Sequence, residues 1–177
     1  MNYLQIEKTS IANGPGVRVV LWVSGCRIHC KGCQNQESWN FNSGKLFNEN
    51  TKNELFKALS KSYIKGLTIS GGHPLEYEHL PYIYDLIKEV RTKFPEKDIW
   101  LYTGYSLRIS DFDTTIDICW DNGALRNYII AMCDVVVDGP YIEEQRDITL
   151  KFRGSKNQRL IDVKKTLEQG EIVTIQN

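Results

Sequence analysis

Three cysteines, Cys26, Cys30 and Cys33, fall within the segment Ser24–Trp39, SGCRIHCKGCQNQESW, at the spacing C-x3-C-x2-C. Thiolate is a soft ligand that selects zinc or iron–sulfur clusters. An electron-transfer [4Fe–4S] centre ordinarily takes four cysteines, one for each iron. Three closely spaced thiolates can hold three corners of a cubane and leave the fourth iron open, and an open iron can bind a small molecule and pass it an electron. Two other readings of the trio stay open on spacing alone. A structural zinc ion would need a fourth ligand from Cys119, Cys133 or His29, but there is no second Cys or His pair of the usual kind. His29 is also awkwardly placed, directly beside Cys30. The thiols could also be uncommitted.

Composition narrows the setting. Five cysteines are an odd number, and their clustering does not suit a secreted disulfide framework. Lys plus Arg and Asp plus Glu both number 22, so no net field draws the chain to nucleic acid or an anionic membrane. The opening MNYLQIEKTS lacks the basic and apolar regions of a signal peptide, and no apolar run is long enough to span a bilayer. The expectation is a cytoplasmic protein with one domain over residues 1–177, with neither a nucleic-acid nor a membrane partner.

The elements that must position the cysteines follow from apolar spacing. Val17–Val23 (VRVVLWV) reads as a buried strand, and a long irregular segment runs from Ser24 to about Asn48. Helical spacing predicts a helix over Thr51–Tyr63, with Leu55, Phe56, Leu59 and Tyr63 on one face. It predicts a second over Leu80–Phe94, with Pro81 near its start, and a third over Ala124–Met132. Strands are predicted at Leu67–Ser70, Ile99–Tyr102, Val135–Val137 and Leu160–Val163. A short helix near Lys164–Glu168 and a final run, Ile172–Ile175, complete the chain. Alternation of strands and helices predicts an α/β fold with a largely parallel sheet. The cysteine loop, GGHP, YTGY and DGPY each follow the C-terminal end of a different predicted strand, the edge where such sheets build sites.

At this point a family resemblance emerges. C-x3-C-x2-C after a buried strand is similar to the signature of the radical S-adenosylmethionine enzymes. Asn13-Gly14-Pro15-Gly16-Val17-Arg18, Gly25-Cys26, His29-Cys30, Gly32-Cys33, Asn35 and Trp39 resemble, within them, the activating proteins of anaerobic ribonucleoside-triphosphate reductase. So do Gly71-Gly72-x-Pro74-Leu75, Tyr102-Thr103-Gly104-Tyr105, Asp138-Gly139-Pro140-Tyr141, Phe152-Arg153-Gly154-Ser155 and Asn157-Gln158-Arg159. The resemblance covers about residues 10 to 162. It implies an incomplete parallel (β/α) barrel, with the cluster at the C-terminal ends of the strands. It also implies one [4Fe–4S] cluster on Cys26, Cys30 and Cys33, and reductive cleavage of S-adenosylmethionine to a radical that installs a glycyl radical on the reductase. The partners implied are that reductase and an electron donor such as flavodoxin or ferredoxin. An activase of a formate-lyase-type enzyme, an iron–sulfur electron carrier and a zinc-binding module are the rivals.

The resemblance also assigns cofactor contacts to Gly71, Gly72, His73, Tyr102, Thr103 and Asp138, with aromatic packing at a strand end the alternative for Tyr102–Tyr105. Glycines without Cβ atoms let backbone approach a ligand, and their carbonyls can accept from the methionine ammonium; a plain strand-ending turn is the alternative. The family usually has an acid where this chain has His73, which removes a formal negative charge there. Asp138 either bonds a ligand or caps its own turn. Arg153 and Arg159 either hold a carboxylate, contact the partner or lie solvated. Arg18 reads as structural, His79 as exposed, Cys119 and Cys133 as buried thiols, and Trp39 as packing for the cysteine loop.

Overall fold

The computed structural model describes residues 1–115 and 122–176, so Cys119 lies outside the described residues. The elements are β1 (Asn2–Ser10), β2 (Val17–Val23), β3 (Lys45–Leu46), α1 (Glu49–Leu59), β4 (Ile64–Gly71) and α2 (Leu80–Lys93). There follow β5 (Asp98–Tyr102), α3 (Asn122–Ala131), β6 (Val135–Asp138), β7 (Arg159–Asp162) and α4 (Val163–Gln169). Among the described residues the strands form one seven-stranded sheet in the order β3-β1-β2-β4-β5-β6-β7.

The fold is α/β, as expected, but the sheet is mixed. Only the four central strands, β2, β4, β5 and β6, pair in parallel, while β1 is antiparallel to both β2 and β3, and β7 is antiparallel to β6. The connections explain the difference. A helix lies between each of the parallel neighbours β2 and β4, β4 and β5, and β5 and β6, and such crossovers return the chain in the same direction. A short turn joins β1 to β2, and no α-helix intervenes between β6 and β7, so both pairs reverse.

Strand alternation divides the buried side chains between two faces. Val19, Leu21 and Val23, with Leu67, Ile69, Ile99, Leu101, Val136 and Ile161, pack against the helices in the main core. On the opposite face Trp100, Val135, Val137 and Leu160 form a smaller cluster, with Tyr102 and Phe152 against it. Arg18 is fully buried. Its Nε donates to Thr68 Oγ1 at 2.8 Å and its Nη2 to the Leu67 carbonyl at 3.0 Å, while Asp98 lies 2.5 Å from Nη1. Arg18 is therefore structural, a paired buried charge that ties β2, β4 and β5 together near their N-terminal ends.

Boundaries differ from the apolar spacing at β4, which begins at Ile64 and not at Leu67, and at α1. α1 starts earlier, where the Asn48 side chain accepts from the Thr51 amide, and it ends at Leu59, leaving Tyr63 exposed beyond it. Ile172–Ile175 is not a ladder strand. It nevertheless lies beside β7 through an Ile161–Thr174 bridge and two flanking backbone hydrogen bonds.

Candidate metal-cluster site

The C-terminal ends of the four parallel strands lead into the four turns noted in the sequence, and the structure brings all four around one cavity of about 130 Å³. Cys26, Cys30 and Cys33 line it from the loop after β2, and Gly71, Gly72 and His73 from the turn after β4. Tyr102, Thr103 and Gly104 line it from the end of β5, and Gly139 and Tyr141 from the turn after β6. Ile28, Asn35, Trp39, Ser70 and Gln158 complete the wall.

Backbone geometry fastens the cysteine loop to the glycine turn. The Gly72 amide donates to the Val23 carbonyl and the His73 amide to the Gly25 carbonyl, each at 2.8 Å. A Cβ on Gly72 would lie 2.5 Å from the Gly25 carbonyl oxygen, so no larger residue fits without moving one of the loops. At Gly71 a positive φ of 103° adds a backbone demand that glycine meets without strain.

The thiols line the wall without gathering at one point: among the described residues no three His, Cys, Asp or Glu side chains are grouped to hold a metal ion. Burial pushes the Cys26 and Cys30 thiols up, opposed by backbone N–H groups of His29 and Ile28 at Cys26 and of Tyr141 at Cys30. The Asn35 amide donates to Cys33 Sγ at 3.4 Å. Three soft donors around a shared volume, each with amide support, fit an iron–sulfur cluster, whose sulfurs commonly accept such bonds. Because a ligating thiol must be deprotonated, loading the site displaces protons from these residues. His29 does not line the cavity; its exposed ring stacks on Trp39 at 4.4 Å, which packs Trp39 onto the loop.

The expected contacts meet different fates. Gly71, Gly72, Tyr102 and Thr103 reach the cavity. Tyr102 also donates its hydroxyl to the Phe152 carbonyl at 2.7 Å, and burial pushes its phenol up. His73 reaches the cavity wall, but both ring nitrogens are engaged by protein, Nδ1 with Glu76 at 3.3 Å and Nε2 with Thr103 Oγ1 at 2.8 Å. Its ring has no nitrogen left over for a ligand.

Asp138, expected as a cofactor contact or a turn cap, does not line the cavity. It is fully buried; Oδ2 accepts from the Leu107 amide at 2.8 Å, Oδ1 accepts from Arg159 Nε at 3.0 Å, and Arg159 Nη2 closes on Oδ2. Its charge is spent on holding Arg159 and the chain after YTGY. That occupies Arg159 too, whereas Arg153 lines a neighbouring cleft of about 560 Å³ with a buried Nε that has no hydrogen-bond partner. The cleft shares Cys33, Asn35, Ser70, Tyr102, Tyr141 and Gln158 with the thiol cavity, so the two are continuous. Cys133 is buried, and burial pushes its thiol to about 12.

Two residues at the site, His79 and Glu76, have roles that the sequence does not announce. His79 is 1% exposed, not solvated; its Nδ1 donates to the His73 carbonyl at 2.9 Å and so ties the glycine turn to the start of α2. Glu76 is 4% exposed and accepts from both the amide and the side chain of Arg27, the residue after Cys26. Their only sequence signal is proximity to GGHP and Cys26: the Arg27–Glu76 contact joins segments far apart in the chain, and the His79 contact is local but hidden by burial.

Thiols, paired glycines and aromatic walls at one edge of an α/β sheet describe a protein built around a sulfur-ligated cofactor. Residues 12–161 match the family model described as a 4Fe–4S single cluster domain. The anaerobic ribonucleoside-triphosphate reductase-activating protein of Enterobacteria phage T4 is 44% identical over 160 residues, covering 90% of this chain and 93% of that protein. Its namesakes in Vibrio cholerae and Escherichia coli K12 are 41% and 36% identical, each covering 89% of this chain and 96% of theirs. The chain belongs to the 4Fe–4S single-cluster family and, within it, to the anaerobic ribonucleoside-triphosphate reductase-activating proteins.

Proposed function

We propose that this chain is a radical S-adenosylmethionine enzyme that activates anaerobic ribonucleoside-triphosphate reductase, with Cys26, Cys30 and Cys33 as the protein ligands of one [4Fe–4S] cluster. The observation that carries the reading is the convergence of these thiols and the Gly71–Gly72 turn on one cavity at the C-terminal ends of parallel strands. When bound, the cluster supplies an electron that splits S-adenosylmethionine to methionine and a 5′-deoxyadenosyl radical, which takes a hydrogen atom from a glycine of the reductase. The protein's own part is placement and exclusion. Gly71 and Gly72 admit the methionine end of the ligand close to backbone. Tyr102, Thr103 and Tyr141 wall the reaction volume, and Trp39 braces the cysteine loop from the other side.

In this reading the sheet is an incomplete barrel, and its inner face is the one that presents Trp22, Ser70 and Tyr102 to the larger cleft. That cleft is where a glycine-bearing segment of the reductase reaches the cavity. Arg153 and the 86% exposed Ile148 at its border are suited to contact it. The proposed setting is the cytoplasm; separately, no helix among the described residues is long and apolar enough to cross a membrane. The electron enters from a small carrier of the flavodoxin or ferredoxin class.

The test is anaerobic reconstitution with iron and sulfide, followed by S-adenosylmethionine and dithionite. Wild type is expected to release 5′-deoxyadenosine and Cys30→Ala to fall to background. A wild-type protein that purifies with zinc in place of iron and sulfide, or that leaves S-adenosylmethionine intact, overturns the proposal.

A further inference from the structure

Glu76 stands at the head of a hydrogen-bonded chain that crosses three loops of the cavity. Its Oε1 accepts from the Arg27 amide at 2.8 Å and from His73 Nδ1 at 3.3 Å, and its Oε2 accepts from Arg27 Nη1 at 2.9 Å. His73 Nε2 lies 2.8 Å from Thr103 Oγ1, which also accepts from the Tyr105 amide at 3.1 Å. Arg27 belongs to the loop after β2, His73 to the turn after β4, and Thr103 to the turn after β5. The chain is shielded from water: Glu76 is 4%, His73 1% and Thr103 5% exposed. Tyr105 stands edge-on to the His73 ring at 4.3 Å.

Direction along this chain is set at one end. An ionised carboxylate only accepts, so it assigns the proton of a neutral His73 to Nδ1. Nε2 is then an acceptor, and the Thr103 hydroxyl must donate to it. One lone pair of Thr103 Oγ1 takes the Tyr105 amide. The remaining lone pair leaves Thr103, a residue of the cavity wall, as an acceptor toward whatever occupies the cavity. Reversing the polarity would turn the hydroxyl hydrogen toward the ligand and present a donor there.

Building on the proposed S-adenosylmethionine chemistry, we infer that Glu76 is a positioning residue which, through His73, fixes Thr103 as a hydrogen-bond acceptor for the protonated amine of the bound ligand. Glu76 itself touches no ligand and is absent from the cavity wall. Loss of a hydrogen bond to a charged group in such a site weakens binding by roughly tenfold or more.

The experiment is anaerobic calorimetric titration of S-adenosylmethionine into the reconstituted protein, with iron and sulfide measured on every sample. The proteins are wild type, Glu76→Gln, Thr103→Val, Thr103→Ser and the Glu76→Gln/Thr103→Val double variant. Each single change that removes the carboxylate or the hydroxyl should weaken binding by about tenfold with cluster content unchanged. Thr103→Ser should bind like wild type, and the double variant no more weakly than Thr103→Val alone, because both lesions break one chain. Additive losses in the double variant overturn the relay. So does full affinity in Thr103→Val, a variant that leaves Arg27 and the cysteine loop untouched and so keeps the test alive even where Glu76→Gln fails to hold a cluster. A cluster-loaded wild type that binds no S-adenosylmethionine sinks the functional reading and the relay with it, whereas wild-type binding matched by Thr103→Val sinks the relay alone.

Discussion

Glu76 lies under opposing influences. Burial drives its carboxyl up, yet hydrogen bonds from His73 and Arg27 outweigh burial and hold it at about 2. A carboxyl depressed below its unfolded value adds stability that is complete above the ordinary carboxylate range and is lost as pH falls toward 2. Metal-free wild type should therefore lose thermal stability steeply below about pH 5, and Glu76→Gln should decline along a shallower limb. Melting followed by circular dichroism checks this, and equal slopes would deny Glu76 any share in acid stability. This residue also marks how far the sequence could be read. Cys26, Cys30 and Cys33 declare themselves because ligand spacing is local, and the paired glycines because a strand-ending turn is local. The partners of Glu76 at Arg27, of Asp138 at Arg159 and of His79 beneath its turn are set by tertiary packing. Each therefore looked like an ordinary polar residue or a ligand contact until the chain was folded.

Among the elements, the parallel strands were the legible part. β2, β4, β5 and β6 are short apolar runs ended by turn residues, and the burial that accompanies their parallel pairing also makes them conspicuous. β1 went unread because its pairing with β2 shifts register between Tyr3 and Gln5 and again between Glu7 and Ser10. Those irregularities break the period-two pattern by which a half-buried strand is recognised. β3 has two residues, too few for any pattern. The glycine turn after β4 is the element on which the site depends most directly. Gly72→Ala sets a methyl group 2.5 Å from the Gly25 carbonyl, so one of the two loops must give way. The expected result is a loss of about 1–3 kcal/mol in urea unfolding together with a reduced iron content per chain. Full iron retention with unchanged stability would mean that the loops yield freely.

For the whole molecule, the arrangement divides labour between the two ends of the strands. Arg18 locks the N-terminal ends with a buried ion pair, while the C-terminal ends carry the loops that make the cavity and the adjoining cleft. The outermost strand on the β7 side is also provided for. Residues 172–175 run beside it, with the Asp162 amide donating to the Val173 carbonyl at 2.9 Å and the Ile175 amide to the Leu160 carbonyl at 2.7 Å. A chain stopped after Gly170 would leave those backbone groups, and the apolar Leu160–Ile161 pair, ready to pair with another molecule. Such a truncated protein should self-associate as its concentration rises in sedimentation velocity runs, and a lone species at every concentration would refute this. The last few described residues thus act as a selvedge, finishing the sheet's margin against the addition of a further strand.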